Sequence, residues 1–432
     1  MHKLFIVLIL LAFSCSTPKK QTASVANVVS DAERILKTLS ADDMQGRATF
    51  TPGAEKAASF IENEFRAYGL QPISGATSFR QTFNVRNVSV RETDVNINGR
   101  RVGADSLASL SDKAEYTISQ DAKKLNISAG DNLFERYGEI SRMNGDVIVT
   151  IDPEHAKNFT MLRNYLMKSR VVDQPNEQRN IVFILAGDEV REHNIQLSNN
   201  IAEQPLFNVV AILPGKSRAK EIVIFSAHYD HIGIQPAVDG DSIANGADDD
   251  ASGVTAVLSL ARYFSQLKNN ERTLMFVTFA GEELGLVGSG LFSKAMNADE
   301  VTAMFNIEMI GKESKFGKRA AFITGYDRSD FGKILQKNLE GTSFTFHPDP
   351  YTEQNLFYRS DNASLAARGV PAHTISTDQI DKDPYYHTVN DEFETLDIEN
   401  VKATIEAIAL SARGIISGQD TPKRVPKLEE SH

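Results

Sequence analysis

Histidine, aspartate and glutamate side chains stand close after apolar runs at four points of this sequence, and one more histidine stands in a polar stretch late in the chain. The residues are His228 with Asp230, the triplet Asp248 to Asp250, Glu282 with Glu283, Glu308, and His387 with Tyr386 before it and Asp391 after it. Imidazole nitrogens and carboxylate oxygens together form a donor set that suits zinc. The chemistry open to such a set is metal-assisted, with one of two adjacent carboxylates free to act as a base.

Each of these residues also has an ordinary structural explanation when it is taken alone. One aspartate before an apolar helix is a usual N-cap, and glutamates suit a helix start because of the helix dipole. A cap does not explain three adjacent aspartates, since their mutual repulsion requires a cation or shared protons. A carboxylate at the end of an apolar strand, as at Glu308, needs a partner because its burial is costly. Together the stretches favour a metal site.

Strand-like and helical runs alternate in the part of the chain that carries these residues. Strands are predicted at Asn208–Leu213, Glu221–Ala227, Thr273–Phe279 and Ala303–Glu308, and helices at Ser252–Leu267 and Gly288–Met296. Such alternation predicts an α/β fold in which a mostly parallel central sheet is flanked by helices. Ligands bind beyond the carboxyl ends of the strands in sheets of this kind. The candidate residues follow that rule.

The composition of the chain predicts several segments around this core. We expect a lipoprotein signal peptide at residues 1–15, a polar tether at 16–29, the first part of the main domain at 30–84, an inserted β-rich accessory domain at 85–205 with one helix at Pro153–Met167, the rest of the main domain at 206–417, and a C-terminal tail at 418–432. Helices are expected near residues 30–39 and 53–68, where apolar residues recur at helical spacing.

The start of the sequence has the pattern of an export signal. The apolar run Leu4–Phe13 is shorter than the ~20 residues that cross a bilayer, and Cys15, the one cysteine of the protein, stands where a lipoprotein signal is cut and acylated. We therefore expect an exported protein that is lipid-anchored to a bacterial membrane, facing the periplasm or the cell surface. A cleaved soluble form is the alternative. An acylated Cys15 would leave no thiol for a disulfide, a nucleophile or a metal.

The net charge limits the partners of the protein. A formal charge of -11 argues against a nucleic-acid partner, because binding to phosphates needs clustered lysine and arginine. We expect contact with the membrane only through the acylated Cys15. The sequence leaves the oligomeric state open.

The ordered motifs HxD, GADDDASG, GEELGLVGS, NxEMxG and YH resemble those of the co-catalytic zinc aminopeptidases of metallopeptidase family twenty-eight, clan MH. The similarity covers about residues 30–84 and 208–416. It implies a zinc-dependent exopeptidase, in the first place an aminopeptidase that removes N-terminal residues from peptides. It also implies two zinc ions with five ligands: His228 and Glu308 on one ion, Glu283 and His387 on the other, and Asp249 bridging both.

The resemblance also assigns roles next to these ligands. Glu282 would be the general base and acid, the Asp230 carboxylate would orient His228, and Tyr386 would donate a hydrogen bond to the oxyanion. The bond between Asp249 and Asp250 would be cis. The family usually has aspartate where this chain has Glu308, which leaves the metal occupancy at that position open.

Two other functions remain open at this point. One is a glutaminyl-peptide cyclotransferase, a one-zinc enzyme on the same scaffold, and the other is a non-catalytic peptide-binding module. A non-catalytic relative would be expected to have lost Glu282 or several ligands, and the complete set of motifs favours the two-metal peptidase. The sequence does not decide the side-chain specificity, nor does it exclude a dipeptidase or a carboxypeptidase.

Overall fold

The computed structural model describes residues 27–187 and 189–428. The predicted signal peptide with Cys15 and most of the predicted tether lie outside these residues. Within the described ranges, no helix is both long enough and apolar enough to cross a bilayer.

The secondary structure is mixed along the whole described chain. The strands are β1 (Arg80–Ile97), β2 (Arg100–Arg101), β3 (Leu107–Ser111), β4 (Glu115–Thr117), β5 (Lys123–Ile127), β6 (Gly145–Ile151), β7 (Arg170–Val172), β8 (Arg179–Leu185), β9 (His193–Leu213), β10 (Arg218–His228), β11 (Gly233–Val238), β12 (Asp241–Ala244), β13 (Arg272–Phe279), β14 (Val301–Ile307), β15 (Ala320–Ile323), β16 (Thr345–Pro348) and β17 (Ala372–Ser376). The α-helices are α1 (Ala32–Leu39), α2 (Pro52–Ala67), α3 (Leu133–Ile140), α4 (Ala156–Met167), α5 (Gly253–Leu267), α6 (Val287–Ala295), α7 (Phe331–Asn338), α8 (Asn362–Ala366), α9 (Ile398–Ser411) and α10 (Arg413–Ile416).

The main sheet has parallel strands at its centre and antiparallel strands towards its edges. Its order is β16-β15-β17-β14-β10-β13-β9-β1-β2, with β4 pairing with β9 and β7 with β1. The neighbours β13, β10, β14 and β17 run parallel, whereas β9 is antiparallel to β13 and β15 is antiparallel to β17. The edge strand β16 runs parallel to β15. The predicted α/β fold with helices around a central sheet is confirmed. Parallel neighbours bring their carboxyl ends to one edge of the sheet, which is where a site can form.

Aromatic packing fixes helix α5 onto the centre of this sheet. The ring of Phe225 in β10 stacks against Phe264 of α5 at 5.7 Å, Phe276 of β13 at 5.7 Å and Phe305 of β14 at 4.8 Å. All eight residues of β13 are buried, as expected of a strand covered on both faces. The position of the α5 N-terminus relative to the strand ends is therefore set by a close-packed core.

The accessory segment is joined to the main sheet by two long strands. Strands β1 and β9 pair antiparallel from Arg80 opposite Val209 to Ile97 opposite His193. Between them lies a second sheet of order β3-β8-β6-β5, packed against α3 and α4 through a core of its own that includes Phe159. The predicted domain boundaries at residues 85 and 205 fall inside β1 and β9.

The accessory segment holds one more helix than the sequence predicted. Helix α4 lies within the predicted stretch Pro153–Met167, which begins with a 3-10 turn, whereas α3 was not predicted. Helix α3 has only eight residues and contains Gly138, so its local sequence indicates a helix only weakly. The helix is held instead by burial of Leu133 and Ile140 and by the Asn132 side chain, which accepts N–H bonds at its start.

Candidate metal centre

The ends of three parallel strands and two loops bring the predicted residues together. His228 is the last residue of β10, Glu308 follows β14 directly, and Glu282 and Glu283 follow β13. Asp249 lies in the buried turn Ala247–Ser252 before α5. His387 comes from the loop between β17 and α9.

The titratable side chains form two adjoining groups that could each hold a cation. One group is His231, Asp249, Glu283 and His387, and the other is His228, Glu282 and Glu308; within each, the ligand atoms lie within 4.8 Å of one another. Oδ1 of Asp249 is 3.2 Å from Nε2 of His228, and its Oδ2 is 3.2 Å from Nε2 of His387. The two oxygens of Asp249 therefore face different groups, as a bridging ligand requires.

His228 is oriented as a metal-binding imidazole would be. Its ring is buried, and Nδ1 lies 3.0 Å from the carbonyl oxygen of Asp230, to which it can donate. Nε2 has no hydrogen-bond partner among the described residues and points towards Asp249. A carbonyl that holds the Nδ1 proton leaves the lone pair of Nε2 for a cation. This orphaned, buried nitrogen fits a metal ligand.

The resemblance implied that the carboxylate of Asp230 orients His228. That prediction was wrong, because the backbone carbonyl of Asp230 is the group that does so. The carboxylate lies 3.9 Å from Nδ1 of His228, whereas the backbone carbonyl of the same residue is within hydrogen-bond distance. The carboxylate oxygens accept other donors, the hydroxyl of Thr49 at 2.8 Å and the backbone N–H of Glu282 at 3.2 Å. Because both oxygens are engaged in this way, Asp230 positions the backbone of Glu282.

The second group contains a histidine that was not singled out in the sequence. Nδ1 of His231 lies 2.9 Å from Oε1 of Glu283, while Nε2 of His387 lies 3.2 Å from Oε2 of the same carboxylate. The sequence signal for His231 was its place three residues after His228, at the same strand end. Burial alone would lower the pKa of His387, but Asp249 and Glu283 raise it to about 10. These carboxylates thus favour positive charge at His387.

The three adjacent aspartates have different partners. Asp250 accepts backbone N–H groups from Gly253 at 3.0 Å, Met309 at 3.1 Å and His228 at 3.2 Å, so it links α5 to two strand ends. Asp248 accepts the backbone N–H of Gly311 at 2.6 Å. The bond between Asp249 and Asp250 is cis, as the resemblance implied. Of the three, Asp249 alone belongs to the group with His231, Glu283 and His387.

Two further residues hold the turn that carries Asp249. The carboxylate of Asp391 accepts the backbone N–H groups of Asp248 and Asp249, each at 3.0 Å. The guanidinium of Arg47 is almost fully buried and donates only to backbone carbonyls; these belong to Tyr229, Leu39, Asn245, Gly246 and Asp249. The sequence pointed to Asp391 through its closeness to His387. The sequence gave no indication that Arg47, a single arginine between two predicted helices, would hold this turn.

The candidate acid-base group and the predicted oxyanion donor border a common cleft. The cleft has a volume of about 730 Å³, and its lining includes Glu282, Glu308, Tyr386 and His387. Burial and neighbouring carboxylates raise the pKa of Glu282 well above its usual range, and burial raises that of Glu308 to about 7. Burial also raises the pKa of Tyr386, whose ring stacks on that of His387 at 4.0 Å. At neutral pH the phenol therefore remains a hydrogen-bond donor.

Comparisons of the sequence identify relatives of the main domain. Residues 208–412 match the sequence profile of Peptidase family M28. A probable leucine aminopeptidase of Trichophyton verrucosum is 31% identical over 203 residues, which are 45% of this chain and 53% of the relative. Aminopeptidase YwaD of Bacillus subtilis is 24% identical over 241 residues, 51% of this chain and 47% of the relative. The chain thus spans about half the length of the curated relatives it matches.

Solved structures show the same fold over most of the chain. The aminopeptidase from Aneurinibacillus sp. strain AM-1 superimposes with a TM-score of 0.56 at 19% identity, covering 94% of this chain and 96% of that one. BSAP, a zinc aminopeptidase from Bacillus subtilis, gives a TM-score of 0.53 at 19% identity and covers 90% and 96% of the two chains. At this identity the likeness speaks for the fold alone. The similarity to Peptidase family M28 therefore lies in residues 208–412, which contain every residue of the two ligand groups.

Proposed function

We propose that this protein is a zinc-dependent aminopeptidase that holds two zinc ions and releases N-terminal residues from peptides. The observation that carries the proposal is the carboxylate of Asp249, whose two oxygens each lie 3.2 Å from an imidazole of a different ligand group. The names of the relatives, which are aminopeptidases, and the zinc of BSAP support the same function.

The residues present fit two zinc ions. His228 and Glu308 would bind one ion, Glu283 and His387 would bind the other, and Asp249 would bridge them; His231 stands beside the second set through its contact with Glu283. When bound, the two ions would polarise the scissile carbonyl and lower the pKa of a water molecule. Glu308, with one more methylene than the usual aspartate, still lies in the same group as His228.

Glu282 would move the proton. Its carboxyl group lies beside His228 and Glu308 at the cleft, and its raised pKa means that it can hold a proton taken from water. It would then deliver this proton to the leaving amine. The hydrogen bond from its backbone N–H to Asp230 keeps the residue in place. The phenol of Tyr386 would donate to the developing oxyanion.

Hydrolysis of aminoacyl p-nitroanilides by the purified protein tests this function. We expect release of p-nitroaniline that stops after removal of metal by a chelator and returns when zinc is added. The matched control is the N-acetylated form of the same substrate, which lacks the free amine and should remain intact. Equal rates with and without the chelator would contradict the proposal. Ring closure of glutaminyl peptides in place of hydrolysis, detected by mass, would indicate the cyclotransferase.

The number of zinc ions can be tested separately. Asp249→Asn should lose zinc from both positions, since it would weaken a ligand shared by both ions, whereas His387→Ala should deplete mainly one. Elemental analysis of the purified variants measures the zinc content per chain. An equal loss from both variants, or one zinc per chain in the unaltered protein, would contradict the two-zinc arrangement.

We also propose that the protein is exported and acylated at Cys15, from the signal pattern at residues 4–15. A lipid precursor supplied to cells should label the protein but not its Cys15→Ser variant. An unlabelled, soluble product would mean ordinary signal cleavage.

A further inference from the structure

One buried carboxylate of the cleft has no part in the proposed reaction. Asp378 lines the same cleft as Glu308, Tyr386 and His387, although only 3% of its surface is exposed. Neither of its carboxylate oxygens accepts a hydrogen bond from any described residue. A buried carboxylate without a donor is costly, so a donor from outside the chain is the natural partner.

The backbone holds Asp378 next to the metal groups. It follows β17, which pairs with β14, the strand that leads to Glu308. The N–H of Glu308 donates to the carbonyl of Ile375 at 3.1 Å. The N–H of Asp378 donates to the hydroxyl of Ser376 at 3.2 Å, and that hydroxyl donates to the carbonyl of Met309 at 3.1 Å. Asp378 is thus tied to the loop after Glu308.

Three acidic side chains cluster at Asp378, and burial together with Asp248 and Asp383 raises the pKa of Asp378 to about 8. An oxygen of Asp378 lies within 4.8 Å of oxygens of Asp248 and Asp383. The ammonium group of Lys312 lies 2.5 Å from Asp383 and 3.4 Å from Asp248. In the described part of the chain, no basic nitrogen lies within 4.0 Å of Asp378 itself. One ammonium group therefore serves three carboxylates, and Asp378 is the member of this cluster that lines the cleft.

We propose that Asp378 selects substrates with a cationic side chain, so that the enzyme prefers N-terminal lysine or arginine. The inference rests on the proposed aminopeptidase function. A lysine ammonium or arginine guanidinium supplies the donor that Asp378 lacks. Phe322, Ile380 and Leu356 also line the cleft and offer apolar surface to the methylene stem of such a side chain. A metal ion within the carboxylate cluster is disfavoured by the Lys312 ammonium already placed there.

The test compares p-nitroanilides of lysine and norleucine, which have similar length and differ in charge. We expect kcat/KM of the zinc-loaded protein to be at least ten-fold higher for lysine. In Asp378→Asn this ratio should fall at least ten-fold, while kcat/KM for norleucine changes little. The matched control is Asp383→Asn, which alters the same carboxylate cluster at a residue outside the cleft lining and should keep the preference.

The outcomes separate this inference from the proposed function. If the unaltered protein cleaves neither substrate, the aminopeptidase function itself fails. If it cleaves both at similar rates, or if Asp378→Asn keeps the preference, the role of Asp378 is overturned and the function stands. Inhibition of the unaltered protein by lysine and norleucine hydroxamates avoids any folding defect of the variant. Ten-fold tighter inhibition by the lysine compound is expected, and equal inhibition would overturn the proposal.

Discussion

At the residue scale, Glu282 and Glu283 show how adjacent carboxylates come to differ. Glu283 contacts two imidazoles, at 2.9 Å to His231 and 3.2 Å to His387. Burial would raise its pKa, but these contacts lower it. Glu282 lies among carboxylates, which together with burial keep its pKa well above the usual range. One carboxylate is therefore suited to bind a cation and the other to hold a proton.

The substitution Glu282→Gln should separate these two tasks. The amide keeps the size of the side chain but cannot accept a proton from water, so we expect kcat to fall by about 10²- to 10⁴-fold. The zinc content should remain that of the unaltered protein, because Glu282 is not among the five proposed ligands. Activity near that of the unaltered protein would show that another group is the base. A loss of zinc would make Glu282 a ligand.

The sequence predicted the residues with strong local signals and missed those whose roles depend on distant contacts. His228, Asp249, Glu283 and Glu308 stand at or just beyond strand ends or at a helix start, and the fold brings them together. Arg47 reaches backbone atoms about 200 positions away in the chain, at Asn245 and Gly246. Such contacts leave no periodicity or spacing in the sequence.

At the element scale, a buried guanidinium connects the end of α1, the end of β10 and the turn before α5. Arg47 donates to the carbonyls of Leu39, Tyr229 and Gly246 at 2.7 to 2.9 Å. A planar fork of five N–H donors can serve several carbonyls at once, which an ammonium group cannot do in the same geometry. The turn that presents Asp249 is thereby fixed to two other elements.

Arg47→Met should weaken this connection. Buried carbonyls without a donor cost about 1 to 3 kcal/mol each, so we expect the free energy of unfolding to fall by roughly 3 to 5 kcal/mol. Urea unfolding of the metal-free protein measures the change without a contribution from zinc binding. Arg47→Lys keeps the positive charge but not the planar fork of donors. Its free energy of unfolding should lie between those of the unaltered protein and Arg47→Met. An unchanged midpoint for Arg47→Met would contradict this role.

The elements with continuous apolar runs were predicted closely, whereas the ribbon formed by the paired strands β1 and β9 was not. Helix α5 was expected at Ser252–Leu267 and runs from Gly253 to Leu267. In β1, few residues are buried and most are half-buried or exposed, so its sequence lacks both an apolar run and a clear alternation. For this part of the chain the sequence predicted only a β-rich segment at 85–205, without the bounds of this strand. Its stability comes from pairing with β9 rather than from a buried face.

At the scale of the whole molecule, the accessory segment forms one wall of the cleft. Tyr137, Tyr165 and Arg170 line the same cleft as residues of the metal groups. Lys294 of α6 forms an ion pair of 2.5 Å with Asp173, and β7 pairs with β1 of the main sheet. A peptide that extends beyond its first residues would therefore meet the aromatic surface of this segment.

Tyr165→Ser should affect long substrates and spare short ones. Tyr165 is 64% exposed, and an aromatic contact with a peptide is worth about 1 kcal/mol, which corresponds to roughly five-fold in kcat/KM. We expect this loss for a pentapeptide and none for an aminoacyl p-nitroanilide. Met161→Ser is the matched control, since Met161 is 57% exposed on the same helix but does not line the cleft. Equal effects on both substrates would contradict a contact with the extended peptide.

The ribbon of β1 and β9 also bears on the order in which the chain can fold. Its far end pairs Ile97 with His193, two residues separated by the whole accessory segment. The segment has its own core, so once it is folded it holds these two residues side by side and removes most of the loop-closure entropy. Pairing can then proceed residue by residue towards Arg80 and Val209, each step closing only a short loop. A segment that interrupts the main domain in the sequence would in this way act as the template on which that domain's antiparallel edge assembles.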